Sequence, residues 1–209
     1  MPLEGLRTGE QCARATLPVG QGRYMKLKIA LTVMASLAVW ASPAAIAEYV
    51  LIENFESQPE TRWQFIADTV MGGVSTGQVE FVQSEGDAYA HMTGRVSTQN
   101  NGGFIQCRME LPAPLPKKAV GLRLDVRGND QRYFVHVRTS GTLLPWQYYQ
   151  AGFEATQEWS EVRLPFTDFK ASGGLLRTIP RPETLKSIGI VAFGRDHQAE
   201  LDVREVSYY

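Results

Sequence analysis

The chain has 209 residues, of which 44% are hydrophobic and 21% are charged, proportions typical of a single globular domain. The formal net charge is −1, so the chain lacks the basic field that nucleic-acid binding requires. Nineteen glycines and eleven prolines favour a turn-rich β protein over a helical one.

Residues 25–47 have the three-part layout of a secretory signal peptide. A short basic start (25–28) precedes an apolar run (29–41), and small residues follow up to Ala47. The apolar run is shorter than the ~20 residues that a membrane span needs, which favours cleavage before Glu48 over anchoring. We therefore expect a periplasmic or secreted domain with no stable membrane span.

Residues 1–24 precede this signal peptide, although a signal peptide normally begins its chain. The simplest interpretation is that translation begins at Met25 and that residues 1–24 are an extension created by too early a start. The alternative is a real cytosolic extension, with the apolar run acting as a signal anchor.

Cleavage leaves residues 48–209 as one domain, with 16 basic and 20 acidic side chains. A chain of this size can bury a hydrophobic core without disulfides or metal ions to stabilise it. Only Cys107 remains, so an internal disulfide is excluded, and Cys107 is expected to be a small buried apolar residue. A reactive thiol or an intermolecular bridge is the alternative.

Apolar and polar residues alternate along most of this domain, which predicts β-strands. The first such segments are 49–52, 78–82, 89–96 and 104–109. The later ones include 146–153, 159–166, 187–193 and 199–206. Nine or ten strands without an amphipathic helix predict an all-β fold, an antiparallel β-sandwich of the jelly-roll type.

The clearest local pattern is a predicted hairpin that turns at 128–130. Its apolar row comprises Leu122, Leu124, Val126, Tyr133, Val135 and Val137. Its polar row comprises Arg123, Asp125, Arg127, Arg132, Phe134, His136 and Arg138. The polar row is either a solvated face with ion pairs or the floor of a groove. In a groove, Trp146, Tyr148 and Tyr149 would add stacking surfaces for a sugar ring or a peptide.

The order of several motifs resembles one family. The motifs are Trp63, Asp-Thr-Val-Met-Gly-Gly-Val-Ser at 68–75, Gly-Arg-Val-Ser at 94–97, Asn-Asn-Gly-Gly-Phe at 100–104, Trp-x-x-Val-x-Leu-Pro-Phe-x-x-Phe at 159–169 and Ile-Gly-Ile at 188–190. Together they resemble the complex I intermediate-associated protein 30 (CIA30) family across residues 48–209. The two glycine-rich stretches at this spacing are the most specific part of the resemblance.

The resemblance implies a galactose-binding-like jelly roll without catalytic activity. Mitochondrial members of the family are chaperones for assembly of respiratory NADH:ubiquinone oxidoreductase in the matrix, whereas a signal peptide directs this chain to the other side of the membrane. We therefore expect a non-catalytic exported module that binds a protein partner or assists an assembly in the cell envelope. The alternative is a carbohydrate-binding module that uses the Arg/aromatic groove.

Patterns for catalysis and metal binding are weak. The Gly72-Gly73 pair lacks the lysine and the following helix of a phosphate loop, so it is interpreted as a tight turn or bulge. The sequence has no Gly-x-Ser-x-Gly nucleophile elbow, and its three histidines do not have the spacing of metal ligands. No cofactor is expected. A structural calcium held by Glu53, Glu56 and Asp202 is the one exception, against the simpler interpretation as solvated carboxylates.

The candidate ligand-binding residues fall into two groups, and no catalytic residue or metal ligand is assigned. Asp68 and Ser75 are polar residues at the two ends of the first glycine-rich stretch. The groove contributes Arg123, Arg127, Phe134, His136, Arg138, Trp146 and Tyr148.

Overall fold

The structure is a computed structural model, and it describes residues 48–84 and 86–209. The predicted signal peptide and the extension before it lie outside the described residues. Twelve strands and five single-turn 3-10 helices make up the described part of the chain, which contains no α-helix. The strands are β1 (Val50–Glu53), β2 (Trp63–Ala67), β3 (Thr76–Ser84), β4 (Asp87–Val96), β5 (Phe104–Glu110), β6 (Gly121–Gly128), β7 (Gln131–Thr139), β8 (Tyr149–Ala155), β9 (Ser160–Pro165), β10 (Lys170–Ala171), β11 (Leu185–Phe193) and β12 (His197–Tyr208). The short helices span Pro59–Thr61, Asp68–Met71, Gln99–Asn101, Phe166–Asp168 and Pro182–Thr184.

Two antiparallel sheets enclose one core. The first sheet has the strand order β3-β4-β12-β6-β9, with β1 paired to the end of β12. The second sheet has the order β10-β8-β7-β11-β5-β2. Many neighbouring strands are distant in sequence, because the chain crosses repeatedly from one sheet to the other. This arrangement is a jelly-roll sandwich, and it confirms the predicted fold class.

The predicted β6–β7 hairpin is wrong, because the chain changes sheets at its turn. β6 pairs with β12 and β9, whereas β7 pairs with β11 and β8. The turn is bonded instead to the end of β8: the Gly128 N–H donates to the Thr156 carbonyl (2.6 Å) and the Asp130 N–H to the Ala155 carbonyl (3.0 Å). Alternation shows which side of a strand is buried, but it does not show which strand lies beside it.

The apolar rows of β6 and β7 face the same core from opposite sheets. From the first sheet come Leu122, Leu124 and Val126, all with no exposed surface. From the second come Tyr133, Val135 and Val137, which are equally buried. Cys107 on β5 is buried among them, as predicted, and burial raises the pKa of its thiol to about 12. The outward faces of the two sheets therefore carry the polar rows on opposite sides of the molecule.

Candidate functional site

The Asp68 carboxylate joins the two glycine-rich stretches. Its Oδ1 accepts a hydrogen bond from the Ser75 N–H (2.9 Å), and its Oδ2 accepts bonds from the Ser75 hydroxyl and the Gly103 N–H, both at 2.5 Å. The Phe104 N–H makes a longer bond to Oδ2 (3.3 Å). The Ser75 hydroxyl oxygen in turn accepts from the Ser97 N–H (3.0 Å). One carboxylate thus fixes the loop after β2 to the loop before β5.

The glycines around this carboxylate have steric and conformational reasons to be glycine. A Cβ on Gly73 or Gly102 would overlap the Asp68 carboxylate. Gly72 closes the short helix with φ +92°, and Gly103 has φ +127°, values that L side chains rarely adopt. The structure therefore confirms the interpretation of Gly72-Gly73 as a tight turn.

Asp68 and Ser75 have no exposed surface, so the prediction that they contact a ligand does not fit their position. Burial acts to raise the pKa of Asp68, but hydrogen bonds from Ser75 and from the backbone N–H groups of Gly103 and Phe104 hold it below its ordinary value. Both oxygens of this ionised carboxylate accept hydrogen bonds from the protein. Asp68 therefore contributes to the stability of the fold and is not placed to bind a ligand.

Arg123 lies on the outer face of the first sheet and is almost buried there. Its guanidinium donates to Glu161 on β9 (2.6 Å) and to Glu205 on β12, so it links three adjacent strands. The Tyr49 ring centroid lies 4.1 Å from the guanidinium carbon. Ion pairs and an aromatic ring thus hold this arginine. The face has the ion pairs of one predicted alternative, but Arg123 itself is buried rather than solvated.

Arg127 belongs to a second ion-pair group on the same face. Its Nε donates to Asp202 Oδ2 (2.6 Å), and His91 Nδ1 lies 2.5 Å from the other oxygen of Asp202. The Trp159 ring covers the guanidinium at 4.7 Å. A shallow cavity of about 380 Å³ lies beside this group and is bordered by Tyr89.

Two of the three carboxylates proposed for calcium, those of Glu53 and Asp202, already have protein partners. Both Glu53 oxygens accept bonds, from Arg62 and from the Trp63 indole N–H among others, and Asp202 is bonded as described. Within the described ranges, no group of three or more His, Cys, Asp or Glu side chains is arranged to hold a metal ion. Calcium would therefore compete with Arg62 and Arg127 for these oxygens.

The outer face of the second sheet carries a cluster of rings, here called the aromatic platform: Phe134, His136, Tyr148 and Phe193. The His136 and Tyr148 rings stack with centroids 4.1 Å apart and planes 10° apart. Phe193 on β11 meets the edges of the other three, at 6.0, 5.6 and 6.5 Å from Phe134, His136 and Tyr148. Three of these residues were predicted as ligand contacts, and the structure brings them together.

Amide side chains border the platform. Nε2 of His136 donates to Oε1 of Gln150 (2.8 Å). Burial lowers the pKa of His136 to about 4, although the bond to Gln150 acts in the opposite direction. The imidazole is therefore neutral near pH 7 and behaves as a flat ring with one donor. Gln106 on β5 extends over Gly189, which pairs with His136 on the neighbouring strand.

Arg138 and Trp146 belong to the end of the second sheet rather than to the platform. The Arg138 guanidinium donates to the Leu144 carbonyl (2.9 Å) and so supports the loop between β7 and β8. Trp146 lies in that loop, 65% exposed, and is not one of the stacked rings.

The single Arg/aromatic groove is wrong, since its members occupy two opposite faces. Arg123 and Arg127 lie on the first sheet, whereas Phe134, His136 and Tyr148 lie on the second. The groove depended on the β6–β7 hairpin, and that pairing does not form.

The sequence interpretation missed Phe193, Gln150 and Gln106. Phe193 ends the apolar run of β11, which looks buried on both faces when only the sequence is considered. The strand period could have indicated its orientation. Phe193 lies four residues after Gly189 and so on the same, outer face of β11, where the two pair with Phe104 and Arg108 of β5.

Residues 53–203 match the sequence model of a family described as complex I intermediate-associated protein 30 (CIA30). This chain belongs to the CIA30 family. The matched range includes both glycine-rich stretches, so the Asp68 junction lies within the part that the CIA30 sequences share with this chain. A search among curated proteins finds no match.

Solved structures share the fold of this CIA30 chain. The family 11 carbohydrate-binding module of the cellulosomal cellulase Lic26A-Cel5E of Clostridium thermocellum has a TM-score of 0.63 at 12% identity, covering 77% of this chain and 94% of the module. A family 11 module from the same organism, in complex with a β-1,3-1,4-mixed-linked tetrasaccharide, has a TM-score of 0.62 at the same identity and coverage. At this identity the likeness shows the jelly-roll fold alone.

No helix in the described part of the CIA30 chain combines the length and the apolar character that crossing a membrane requires.

Proposed function

We propose that this chain is a non-catalytic binding module that holds a carbohydrate on the aromatic platform. The observation that carries the proposal is the stack of His136 on Tyr148, beside Phe193, on an outward-facing sheet surface. Sugar rings have apolar C–H faces that pack against aromatic rings, and hydroxyls that bond to amides. The platform offers both kinds of contact, since Gln150 and Gln106 border its rings.

The fold supports the same class of ligand. The family 11 module in complex with a tetrasaccharide aligns with 77% of this chain. No residue of that module is carried over at 12% identity, so the proposal depends on the rings of this chain.

Titration with a panel of soluble oligosaccharides, including mixed-linked β-glucan fragments, tests the proposal by calorimetry. Tyr148→Ala should weaken binding at least about tenfold, because it removes half of the ring stack. Tyr49→Ala is the matched control, since Tyr49 is exposed beside Arg123 on the opposite face, and it should leave the affinity unchanged. Absence of binding to every sugar, or equal losses in the two variants, would contradict the proposal.

Family membership favours a second candidate function, which is binding a protein partner during an assembly in the cell envelope. The family is described as associated with an intermediate of complex I, and an aromatic surface also suits a peptide. Affinity capture from an envelope extract distinguishes the two. A specific protein that wild type captures and Tyr148→Ala does not, together with no sugar binding, would support the second function over the first.

We infer that either function is performed outside the cytoplasm, because residues 25–47 have the layout of a cleaved signal peptide. Sequencing the amino terminus of the protein from an envelope fraction tests this inference.

A further inference from the structure

Exposed apolar side chains concentrate in two loops at one end of the second sheet, here called the end loops: 140–148 between β7 and β8, and 172–184 between β10 and β11. Leu143 is 83% exposed, Leu175 is 90% exposed and Trp146 is 65% exposed. Two further apolar side chains of these loops are exposed, Leu144 and Ile179. Five of the twelve large hydrophobic side chains that are exposed in the described part of the chain lie in these two loops, and exposed apolar side chains grouped in this way are typical of an interaction surface.

Hydrogen bonds join the two end loops. The Ser172 N–H donates to the Tyr148 carbonyl (2.9 Å), and the Ser172 hydroxyl donates to the Trp146 carbonyl (3.1 Å). The same hydroxyl oxygen accepts from the Tyr148 N–H (3.0 Å). Arg138 also donates to the Leu144 carbonyl. The exposed apolar side chains therefore extend from two loops whose backbones are joined by hydrogen bonds.

The charge around the end loops is opposite to that of the domain. Arg177 and Arg181 lie in the second end loop, where Glu183 is the one acidic residue. The nearby loop 111–120 starts at the same end of the sheet, where the Leu111 N–H donates to the Lys186 carbonyl (2.7 Å). It adds two exposed lysines, Lys117 and Lys118, and no acidic residue. The three loops together are therefore basic, although residues 48–209 carry more acidic than basic side chains.

We propose that the end loops dock the domain on an anionic lipid surface. The leucines and Trp146 would enter the boundary between headgroups and acyl chains, where an indole ring is well accommodated. The four basic side chains of the three loops would lie at the level of the lipid phosphates and attract them. Charge complementarity favours an anionic membrane over a neutral one. Such docking is peripheral, and its exposed apolar side chains are not those of the platform.

Vesicle co-sedimentation tests the proposal with the chain from Glu48 onward, which contains every strand of both sheets. Vesicles of equal parts phosphatidylglycerol and phosphatidylcholine are compared with vesicles of phosphatidylcholine alone. Binding is expected to the first and to weaken with added salt, because basic residues contribute to it. The double variant Trp146→Ser with Leu175→Ser should lose at least about tenfold in affinity.

The matched control is Val70→Ser with Met71→Ser, since these exposed apolar residues follow β2 at the opposite end of the second sheet. The control should bind like wild type, and both variants should unfold at the wild-type temperature because the changed side chains are exposed. Absence of binding to anionic vesicles, or equal binding by all three proteins, would overturn the proposal. A protein captured only by intact end loops, without vesicle binding, would assign them to a protein partner instead.

Discussion

At the scale of single residues, Asp68 is the side chain on which the two glycine-rich stretches depend. Asp68→Asn keeps the shape of the side chain, but it replaces one carboxylate oxygen with an NH2 group. That NH2 would face N–H or O–H donors of Ser75 and Gly103, with which it cannot form the native hydrogen bonds. We expect a loss of about 2–4 kcal/mol in the free energy of unfolding, measured by urea denaturation. Asp196→Asn is the matched control, because Asp196 also accepts two short bonds, from the Thr98 N–H and hydroxyl, but is exposed. The Asp196→Asn variant should lose much less stability than Asp68→Asn because water can replace its bonds, and equal losses would contradict this role.

The same carboxylate gives the stability a pH dependence of known sign. The pKa of Asp68 is held below its ordinary value of 3.8, so the unfolded chain takes up a proton before the folded chain does. Its contribution is complete above that ordinary value and is lost as the pH falls through the folded-state pKa. Asp68→Asn should therefore show a shallower loss of stability on acidification than wild type, and an equally steep one would contradict the argument.

At the scale of elements, Arg123 on the central strand β6 and Arg163 on the edge strand β9 show how the burial of a side chain determines the contribution of its ion pair. Both donate to Glu161 at 2.6 Å, but the side chain of Arg123 is 10% exposed and that of Arg163 is 43% exposed. Arg123→Ala should cost about 3 kcal/mol in unfolding free energy, since it removes the partner of Glu205 on β12 and one of the two partners of Glu161 on β9. Arg163→Ala should cost less than about 1 kcal/mol. Equal losses in denaturant unfolding would show that burial does not decide the difference.

The β6–β7 segment shows what an element's sequence can and cannot predict. Alternation identified the outward residues of β7 correctly, because it depends only on the pleat of one strand. The pairing of β6 with β12 depends on residues more than 70 positions apart, and no local pattern encodes it. Arg127 and His136 were therefore placed on one surface, although a whole core separates their sheets.

For the whole molecule, composition and strand periodicity were sufficient for the all-β class, and the two glycine stretches for the family. The ligand surface was harder to predict, since a sheet face is assembled from strands that are neighbours only in space. His136 lies on β7 and Tyr148 directly precedes the neighbouring strand β8, so the two are close in sequence and both were found. Phe193 reaches them from β11, almost sixty residues after His136, and only the fold reveals that contact.

The first described strand is compatible with the inferred cleavage before Glu48. β1 starts at Val50, which pairs with Tyr208, and the Tyr49 ring packs on Arg123. Cleavage before Glu48 would thus leave every described strand of both sheets in place. We expect the protein from an envelope fraction to begin Glu-Tyr-Val. Ala45→Phe should block processing and accumulate the precursor, because the peptidase requires small residues there, whereas Ser57→Phe in the mature chain should not. An envelope form that begins at Met1 or Met25 would contradict the export inference.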